Sequence, residues 1–387
     1  MKRLAFALVL ASGSVWAYQP SGWSLHAPKN GLKAETSVEQ VVLRLAALGF
    51  ARGGDGFVSA ELPLYRKGRL DFDVKTETPH LSRTVGAYLS FYGVTVFWHD
   101  SCGDMRAYFP DPNARRQMAF NIEPVSHCRI APFSGGKWHH VRIAFDADGD
   151  RIEYFLDDMS DPALVIGDRS VWGAAEFMGG EIRIGGMGGS DGGICSFRNI
   201  VLSEETDETV TVERTETLVF NGMGGDFFDV PTFLAADKPR VYTLDPTRSM
   251  YLPQNDFKYS KLPGRETLRR AKRIVLADAP AGPNGVLPDF ILSDVAAAVS
   301  DGAELIVLGG FFSLSKGEYE GTPLTKVLPD GALGKTPFDA RPSEPMVLER
   351  SVGRGCVKVL LGFAFTNDLD ETRGRFEPYA ARLFGVR

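Results

Sequence analysis

The chain has 387 residues, a formal net charge of −6 and 44% hydrophobic residues. This length exceeds what one hydrophobic core usually serves, so two domains are expected. An acidic balance without runs of basic residues argues against nucleic acid and anionic membrane as partners.

Residues 1–17 have the pattern of a secretory signal peptide. Two basic residues precede the apolar run 4–11, and small residues precede a cleavage site between Ala17 and Tyr18. The apolar run is too short to stay in the bilayer as a spanning helix. The sequence therefore predicts an exported chain, periplasmic or secreted, that does not span the membrane.

Histidine and tryptophan are confined to the first part of the sequence. All six histidines and all five tryptophans lie before residue 173. Two different compositions indicate two domains. We place them at residues 18–205 and 217–387, with a polar linker at 206–216.

Residues 18–205 contain short runs of alternating apolar and polar residues between Gly, Asp, Asn and Pro. This spacing predicts many short strands in an antiparallel β-sandwich. The clearest hairpin covers residues 138–157, with its turn at 146–150. Side chains alternate along a strand, so His139 is expected on the core face and His140 on the opposite face. These two neighbours therefore cannot share one zinc ion.

The turn of this hairpin offers Asp146, Asp148 and Asp150 at alternate positions. Carboxylates at such spacing occur in calcium-binding loops, but Asp and Gly also favour a plain hairpin turn. We expect the plain turn and keep Asp148 and Asp150 as calcium ligands in the alternative. No other cofactor is expected.

The four cysteines lie in a chain whose predicted export permits disulfides. Cys102 and Cys128 belong to one domain and to neighbouring segments, so they are predicted to pair, although Cys195 could replace either. Cys356 lies beside an apolar run and is predicted to be a buried free thiol.

Two strings of the first domain, GKWHHVRIAFDADGDRIEYFLDD and IRIGGMGGSDGGICSFRNIVL, resemble the closing half of a laminin-G-like, concanavalin A-like jelly roll. The string GRLDFDVKT is similar to an early strand of that family. The resemblance covers most of residues 30–205 and implies a module that binds glycan, protein or calcium. Trp98 and Trp172 are then candidates for stacking on sugar rings, although a sandwich core also needs such aromatics.

Some proteins with this sandwich are glycosidases, which need two suitably spaced carboxylates. The glycosidase motifs Glu-x-Asp-x-x-Glu and Glu-x-Asp-x-Glu are absent from this domain, and Asp71, Asp73 and Glu77 come nearest. An extracytoplasmic hydrolase acting on carbohydrate or amide bonds is therefore the alternative. It would use these carboxylates or a site in the second domain.

From residue 217 onward, short apolar runs alternate with helical segments. The predicted strands are 217–220, 240–244, 273–278 and 304–309, and the predicted helices are 226–236, 264–270 and 288–303. Two later strands and a helix around 376–383 complete the pattern. Such alternation predicts parallel strands with right-handed crossovers in a three-layer α/β domain.

Residues 309–329, GGFFSLSKGEYEGTPLTKVLP, resemble the signature of the glutamine-amidotransferase-like family. The chain departs from that signature at Leu314 and Glu318. The resemblance covers roughly residues 215–387 and implies a flavodoxin-like fold related to class I amidotransferases.

The catalytic residues of class I amidotransferases are missing from this domain. Those enzymes use a cysteine thiolate that a histidine activates. Gly310 and Phe311 occupy the turn where the cysteine would stand, and no histidine follows residue 140. The sequence therefore favours a domain without catalytic activity.

The crevice outside the carboxyl ends of parallel strands is the usual ligand site of such a sheet. The residues predicted there suit a polar ligand: Asp278, Gly309, Gly310, Phe311, Ser313, Lys316 and Tyr319. We therefore expect an exported, non-catalytic binding protein. Its sandwich would recognise glycan or protein, and its degenerate amidotransferase-like domain would bind a ligand or partner.

Overall fold

The computed structural model describes residues 17–26, 33–45, 57–77, 86–91, 94–99, 103–110, 125–147, 151–166, 180–187, 193–205, 212–222, 224–244, 256–257, 262–281, 287–310, 312–334, 345–366 and 368–385. Two compact units are present, Met1–Thr209 with Tyr251–Lys258, and Val210–Met250 with Tyr259–Arg387. Within the described ranges, no helix is long and apolar enough to cross a membrane.

The first unit is built from strands. In chain order they are β1 (Ala17–Tyr18), β2 (Ser24–His26), β3 (Lys33–Thr36), β4 (Gln40–Leu45), β5 (Phe57–Glu61), β6 (Lys67–Glu77), β7 (Gly86–Phe91), β8 (Val94–His99), β9 (Asp104–Pro110), β10 (Val125–Pro132), β11 (His139–Asp146), β12 (Arg151–Leu156), β13 (Leu164–Ile166), β14 (Glu181–Met187) and β15 (Gly193–Glu204). One sheet has the order β13-β12-β11-β6-β15-β4-β3, with β1 also on β15. The other has the order β10-β9-β8-β7-β14-β5-β2, and the strands named here pair antiparallel in both sheets.

Aromatic rings from the two sheets meet in the interior. The Trp98 ring of β8 lies 5.6 Å from Phe72 of β6 and 5.7 Å from Phe197 of β15, edge to face in both contacts. Phe91 of β7 meets Phe145 of β11 at 5.8 Å. Every second residue of β6 is buried, as expected for a strand with one face on a core. The predicted antiparallel β-sandwich is confirmed.

The hairpin predicted around the two adjacent histidines is also present, as β11 paired with β12. His139 is buried on the same face as Val141, and His140 lies on the other face. The ring nitrogens of His139 lie 2.8 Å from Asp157 Oδ2 and 2.8 Å from the Ser134 carbonyl. Both predicted orientations are confirmed.

A later part of the chain returns to the first unit. β18 (Asp256–Phe257) pairs in parallel with β10 at the edge of the second sheet. The sequence pattern predicts one continuous domain for residues 217–387, whereas β18 belongs to the first unit. A two-residue strand carries too little periodicity to be recognised in a sequence.

The second unit alternates strands and helices. Its elements are β16 (Glu216–Asn221), α1 (Val230–Phe233), β17 (Arg240–Thr243), α2 (Arg265–Arg269), β19 (Ala271–Ala277), α3 (Asp289–Ser300), β20 (Glu304–Leu308), β21 (Met346–Val352), β22 (Gly355–Leu361) and α4 (Leu369–Phe384), with 3-10 helices at Gly225–Phe228, Ala235–Asp237 and Pro323–Lys326. The sheet order is β17-β16-β19-β20-β22-β21. The strands run parallel except β21, which is antiparallel to β22.

Alternate residues of the central strands enter two separate cores. Leu305 and Val307 of β20 pack with α3, whereas Ile306 and Leu308 pack in the core that contains Phe376 of α4. Helices therefore cover both faces of the mainly parallel sheet, as the alternating pattern predicted.

One predicted helix, residues 226–236, is instead broken into three short helical segments. Asp229 has a left-handed backbone with φ of 47°, which interrupts a right-handed helix, and Pro231 restarts one. The terminal helix α4 has both of its ends capped. Asp368 accepts hydrogen bonds from the first turn, and Gly385 ends the helix with φ of 68°.

Candidate functional site

The strand order of the second unit reverses between β16 and β19, because the chain first adds β17 on one side and then β19 on the other. In open parallel sheets this reversal creates the crevice where ligands bind, outside the carboxyl ends of the strands. The loop after β16 contains Gly222, Gly224 and Gly225, and the loop after β19 begins at Asp278.

Asp278 ties the loops of this edge together. Its side chain is fully buried, and its backbone has a left-handed φ of 46°, which Asp tolerates better than most residues. Oδ2 accepts a hydrogen bond from the Gly224 amide at 2.9 Å, and Oδ1 accepts one from the Phe312 amide at 2.6 Å. One carboxylate therefore joins loops that follow three different strands.

The glycines of these loops are required by their close approach to Asp278. A Cβ atom on Gly222 would lie 1.9 Å from the Asp278 carbonyl oxygen. A Cβ atom on Gly224 or Gly310 would lie 2.3 or 2.5 Å from the Asp278 carboxylate. The amide of Gly224, which a phosphate would otherwise approach, already donates to Asp278. The Gly224 amide is therefore already used within the protein.

Two further predicted residues, Ser313 and Tyr319, make internal hydrogen bonds within the same loops. Ser313 Oγ accepts from the Gly310 amide at 2.8 Å and donates to the Leu308 carbonyl at 3.3 Å. The buried Tyr319 hydroxyl donates to the Ala279 carbonyl at 2.7 Å. Burial, followed by the charge of Asp278, raises the pKa of Tyr319. Ser313 and Tyr319 thus support the loops from within.

The remaining predictions for this edge have different outcomes. The Gly309 amide donates to the Leu360 carbonyl at 3.0 Å, and the Lys316 side chain is exposed. Phe311 lies outside the described residues. The structure gathers the predicted set at one edge, and a ligand for that edge stays a prediction.

An aromatic rim at the same edge was not anticipated from the sequence. Phe227 stacks on Phe365 with ring centroids 4.9 Å apart, and the Phe365 ring also lies over Gly310. Phe312, whose amide donates to Asp278, is 40% exposed. The sequence signal was the pair of strings DFFD and FAF, each just beyond a strand.

A second arrangement lies on the outer face of the first sheet of the sandwich. We call it the polar face, and define it as Asp71 and Asp73 of β6, Trp138, His140 and Arg142 at β11, and Arg198 of β15. Asp73 accepts hydrogen bonds from His140 Nδ1 at 2.8 Å, Arg198 Nε at 3.0 Å and Asn199 Nδ2 at 2.8 Å. Partial burial acts to raise the pKa of Asp73, but these hydrogen bonds outweigh it and lower that pKa.

The other carboxylate of the polar face is held in a similar way. Arg142 Nε donates to Asp71 Oδ1 at 2.7 Å, and His140 Nε2 lies 3.5 Å from the same oxygen. The Arg198 guanidinium lies over the Trp138 ring, 4.1 Å from its centroid. The imidazole and the guanidinium groups are thereby fixed in position beside a partly exposed indole.

The structure places Trp98 in the sandwich core, with no exposed surface. Its ring is enclosed by Phe72 and Phe197, so the sugar-stacking role suggested by the sequence does not fit this position. Trp172 lies outside the described residues, and so do Asp148 and Asp150. In the described part of the chain, no group of three or more His, Cys, Asp or Glu side chains could hold a metal ion.

The structure shows the side chains of two of the four cysteines, Cys195 and Cys356. Cys195 is buried and Cys356 is only partly buried, and neither forms a disulfide among the described residues. Burial, followed by the charge of Glu304, raises the pKa of the Cys356 thiol, which disfavours a reactive thiolate. Cys102 lies outside the described residues, so its disulfide with Cys128 stays a prediction.

No protein-family model matches the sequence, and no curated protein matches it either. Among solved structures, the chain is similar to a sialidase at 12% identity and a TM-score of 0.34, covering 48% of this chain but 17% of that one. It is similar to carbohydrate-binding module CBM66 from Bacillus subtilis at 16% identity and a TM-score of 0.30, covering 47% of this chain and 94% of the module. The exoplasmic/lumenal domain of VIP36, in its Ca2+/Man-bound form, has 9% identity and a TM-score of 0.33, covering 49% and 85%.

Each of these likenesses spans about half of this chain. The amidotransferase-like resemblance of the second half gains no support from them.

Proposed function

We propose that this protein is an exported binding protein whose sandwich recognises glycans through the polar face. The observation that carries the proposal is the set of mutually fixed polar side chains beside the Trp138 indole. Such a surface suits a sugar, because hydroxyl groups need oriented hydrogen-bond partners and the C–H face of the ring needs an apolar platform.

The polar face offers mainly hydrogen-bond donors to a ligand. The side chain of Asp73 is only 13% exposed, whereas that of Arg198 is 42% exposed. The two carboxylates therefore lie behind the cationic groups and orient them. Arg142 and Arg198 then present their remaining N–H groups to oxygen acceptors, which sugar hydroxyls and sugar carboxylates both supply.

For the second unit we propose descent from a flavodoxin-like, class I amidotransferase-related domain that no longer catalyses the reaction. Gly310 follows β20 where a nucleophile would stand, and its lack of a side chain is enforced by Asp278 and Phe365. The free Cys356 lies on a different strand, β22. The unit would then serve to bind a ligand or partner at its aromatic rim.

The hydrolase alternative would require one carboxyl group to act as a general acid, which needs a raised pKa. The hydrogen bonds to Asp73 lower its pKa instead. The polar face therefore favours binding over hydrolysis. Hydrolysis of a glycan by the wild-type chain that disappears in Asp71→Asn would establish the alternative.

A glycan array probed with the full chain tests the proposal, with and without added calcium. We expect binding to a defined set of glycans, lost in Trp138→Ala and kept in Trp23→Ala, a tryptophan outside the polar face. A calcium requirement would support Asp148 and Asp150 as ligands. An array without any reproducible binding by the folded wild-type chain would reject glycan recognition. Export is tested separately, by the mass of the mature chain outside the cytoplasm.

A further inference from the structure

A cavity of about 330 Å³ lies in the second unit at the amino edge of the sheet, the edge opposite to Asp278. Its walls are the first residues of β19 and β20, the 3-10 helix Ala235–Asp237, and the last turn of α4. Neither the polar face nor the aromatic rim contributes to it. Its volume is in the range of small-molecule sites.

A charged network forms one side of the cavity. Arg273 Nε donates to Glu304 Oε2 at 2.6 Å, and Arg273 Nη1 donates to Asp237 Oδ2 at 3.2 Å. Lys272 Nζ donates to Asp237 Oδ1 at 2.9 Å, and Lys358 Nζ lies 2.7 Å from Glu304 Oε1. Each carboxylate is therefore shared by two cations.

The network carries an excess of positive charge. It contains three cationic side chains and two carboxylates, but Lys358 does not line the cavity, whose own charged residues are two cations and two carboxylates. The hydrogen bond from Lys272 is the main cause that lowers the pKa of Asp237, so this carboxylate is ionised at neutral pH. The carbonyl oxygens of Leu383 and Phe384, at the end of α4, accept from Lys358 and Arg273 and fix these two cations in place.

The ammonium group of Lys272 keeps N–H donors that can reach solvent or a ligand. Its ammonium group has three N–H donors, and Asp237 is its hydrogen-bond acceptor among the described residues. The side chain is 42% exposed. The side chain of Phe233 provides an apolar wall of the same cavity.

We propose that this cavity binds a small organic anion, with its carboxylate beside Lys272 and its apolar part against Phe233. Asp237 and Glu304 are each paired with two cations, so the donors left for a ligand are the remaining N–H groups of Lys272, which suit a carboxylate. A ligand without charge would leave the ammonium donors to water. The cavity thus defines a ligand site separate from glycan recognition.

Titration of the full chain with benzoate tests this site, with benzamide as the uncharged probe of the same shape. We expect saturable benzoate binding with a Kd of about 1 to 10 mM, and at least about tenfold weaker binding of benzamide. Binding is measured by calorimetry and by the increase in melting temperature that a ligand of the folded state produces.

Three variants separate the site from general effects. Lys272→Met removes the proposed anion partner, and Ala236→Trp fills the cavity while leaving its charges; both should abolish benzoate binding. Lys326→Met removes an exposed lysine elsewhere in the same unit and should leave binding unchanged. Absence of saturable benzoate binding by the folded wild-type chain would overturn the proposal, and so would equal binding by Ala236→Trp.

Discussion

Asp278 in the second unit and Asp73 in the first are both carboxylates with several hydrogen-bond donors, but their donors differ in kind. Asp278 is fully buried and receives the backbone amides of Gly224 and Phe312. Asp73 lies at a surface and receives the side chains of His140, Arg198 and Asn199.

Because of this difference, Asp278 stabilises the fold, whereas Asp73 positions side chains at a surface. Backbone amides cannot turn toward a ligand, so the donors to Asp278 serve only to hold the loops together. Long cationic side chains keep exposed N–H groups after pairing with a carboxylate, so the surroundings of Asp73 can still contact a ligand.

The first prediction concerns Asp278→Ala, which should have the largest effect on stability. Two buried amides would lose their acceptor and the left-handed backbone would carry a less suitable residue, so we expect a loss of about 4 kcal/mol in the second unit. Asp278→Asn keeps the shape and an acceptor oxygen and should lose clearly less. The helices described here lie in this unit, so far-UV circular dichroism reports its unfolding. Equal loss in both variants would contradict the hydrogen-bond role.

Two tryptophans of the sandwich, Trp98 and Trp138, show the same contrast between interior and surface. Trp98→Ala should destabilise the first unit by about 3 to 4 kcal/mol, because it leaves a large cavity between Phe72 and Phe197. Trp138→Ala should cost less than about 1 kcal/mol, since a partly exposed residue makes fewer contacts. All tryptophans precede residue 173, so the fluorescence of those that remain reports this unit. A similar loss in both variants would place Trp138 in the core.

The third prediction concerns the stability of Asp73→Asn as a function of pH, where we expect a smaller effect than in the two preceding predictions. Because the folded pKa of Asp73 lies below its ordinary value of 3.8, its ionised form stabilises the fold above that pH. We expect the variant to be about 1 kcal/mol less stable at neutral pH, and the difference to disappear as the pH falls through the folded pKa. Denaturant unfolding at several pH values measures this. A difference that persists in strong acid would show that the charge of Asp73 is not its cause.

Much of the second unit was predictable because its strands are short, buried and separated by helices. The pattern around residues 304–309 indicated a buried strand followed by a tight turn, and β20 with Gly309 and Gly310 is that arrangement. The role of Asp278 was not predictable. It depends on the meeting of three loops that are far apart in the sequence, and no local pattern encodes such a contact.

Local sequence patterns also limited what could be predicted for the residues of the sandwich. Alternation correctly assigned His139 and His140 to opposite faces, since β11 has one buried face. In β8, residues 95–98 are all buried, so alternation could not distinguish a core tryptophan from a surface one. The contact of Arg198 with Trp138 joins residues sixty positions apart and was missed for that reason.

The most direct test of glycan recognition compares two arginines that stack on aromatic rings. Arg198 lies over Trp138 in the polar face, whereas Arg183 lies over Phe57 on the other sheet, 5.2 Å from its ring centroid. The affinity of the full chain for a glycan selected on the array is measured for Arg198→Ala and Arg183→Ala. We predict at least about a tenfold loss for Arg198→Ala, equivalent to about 1.4 kcal/mol, and no change for Arg183→Ala. Equal affinities in the two folded variants would contradict recognition by the polar face.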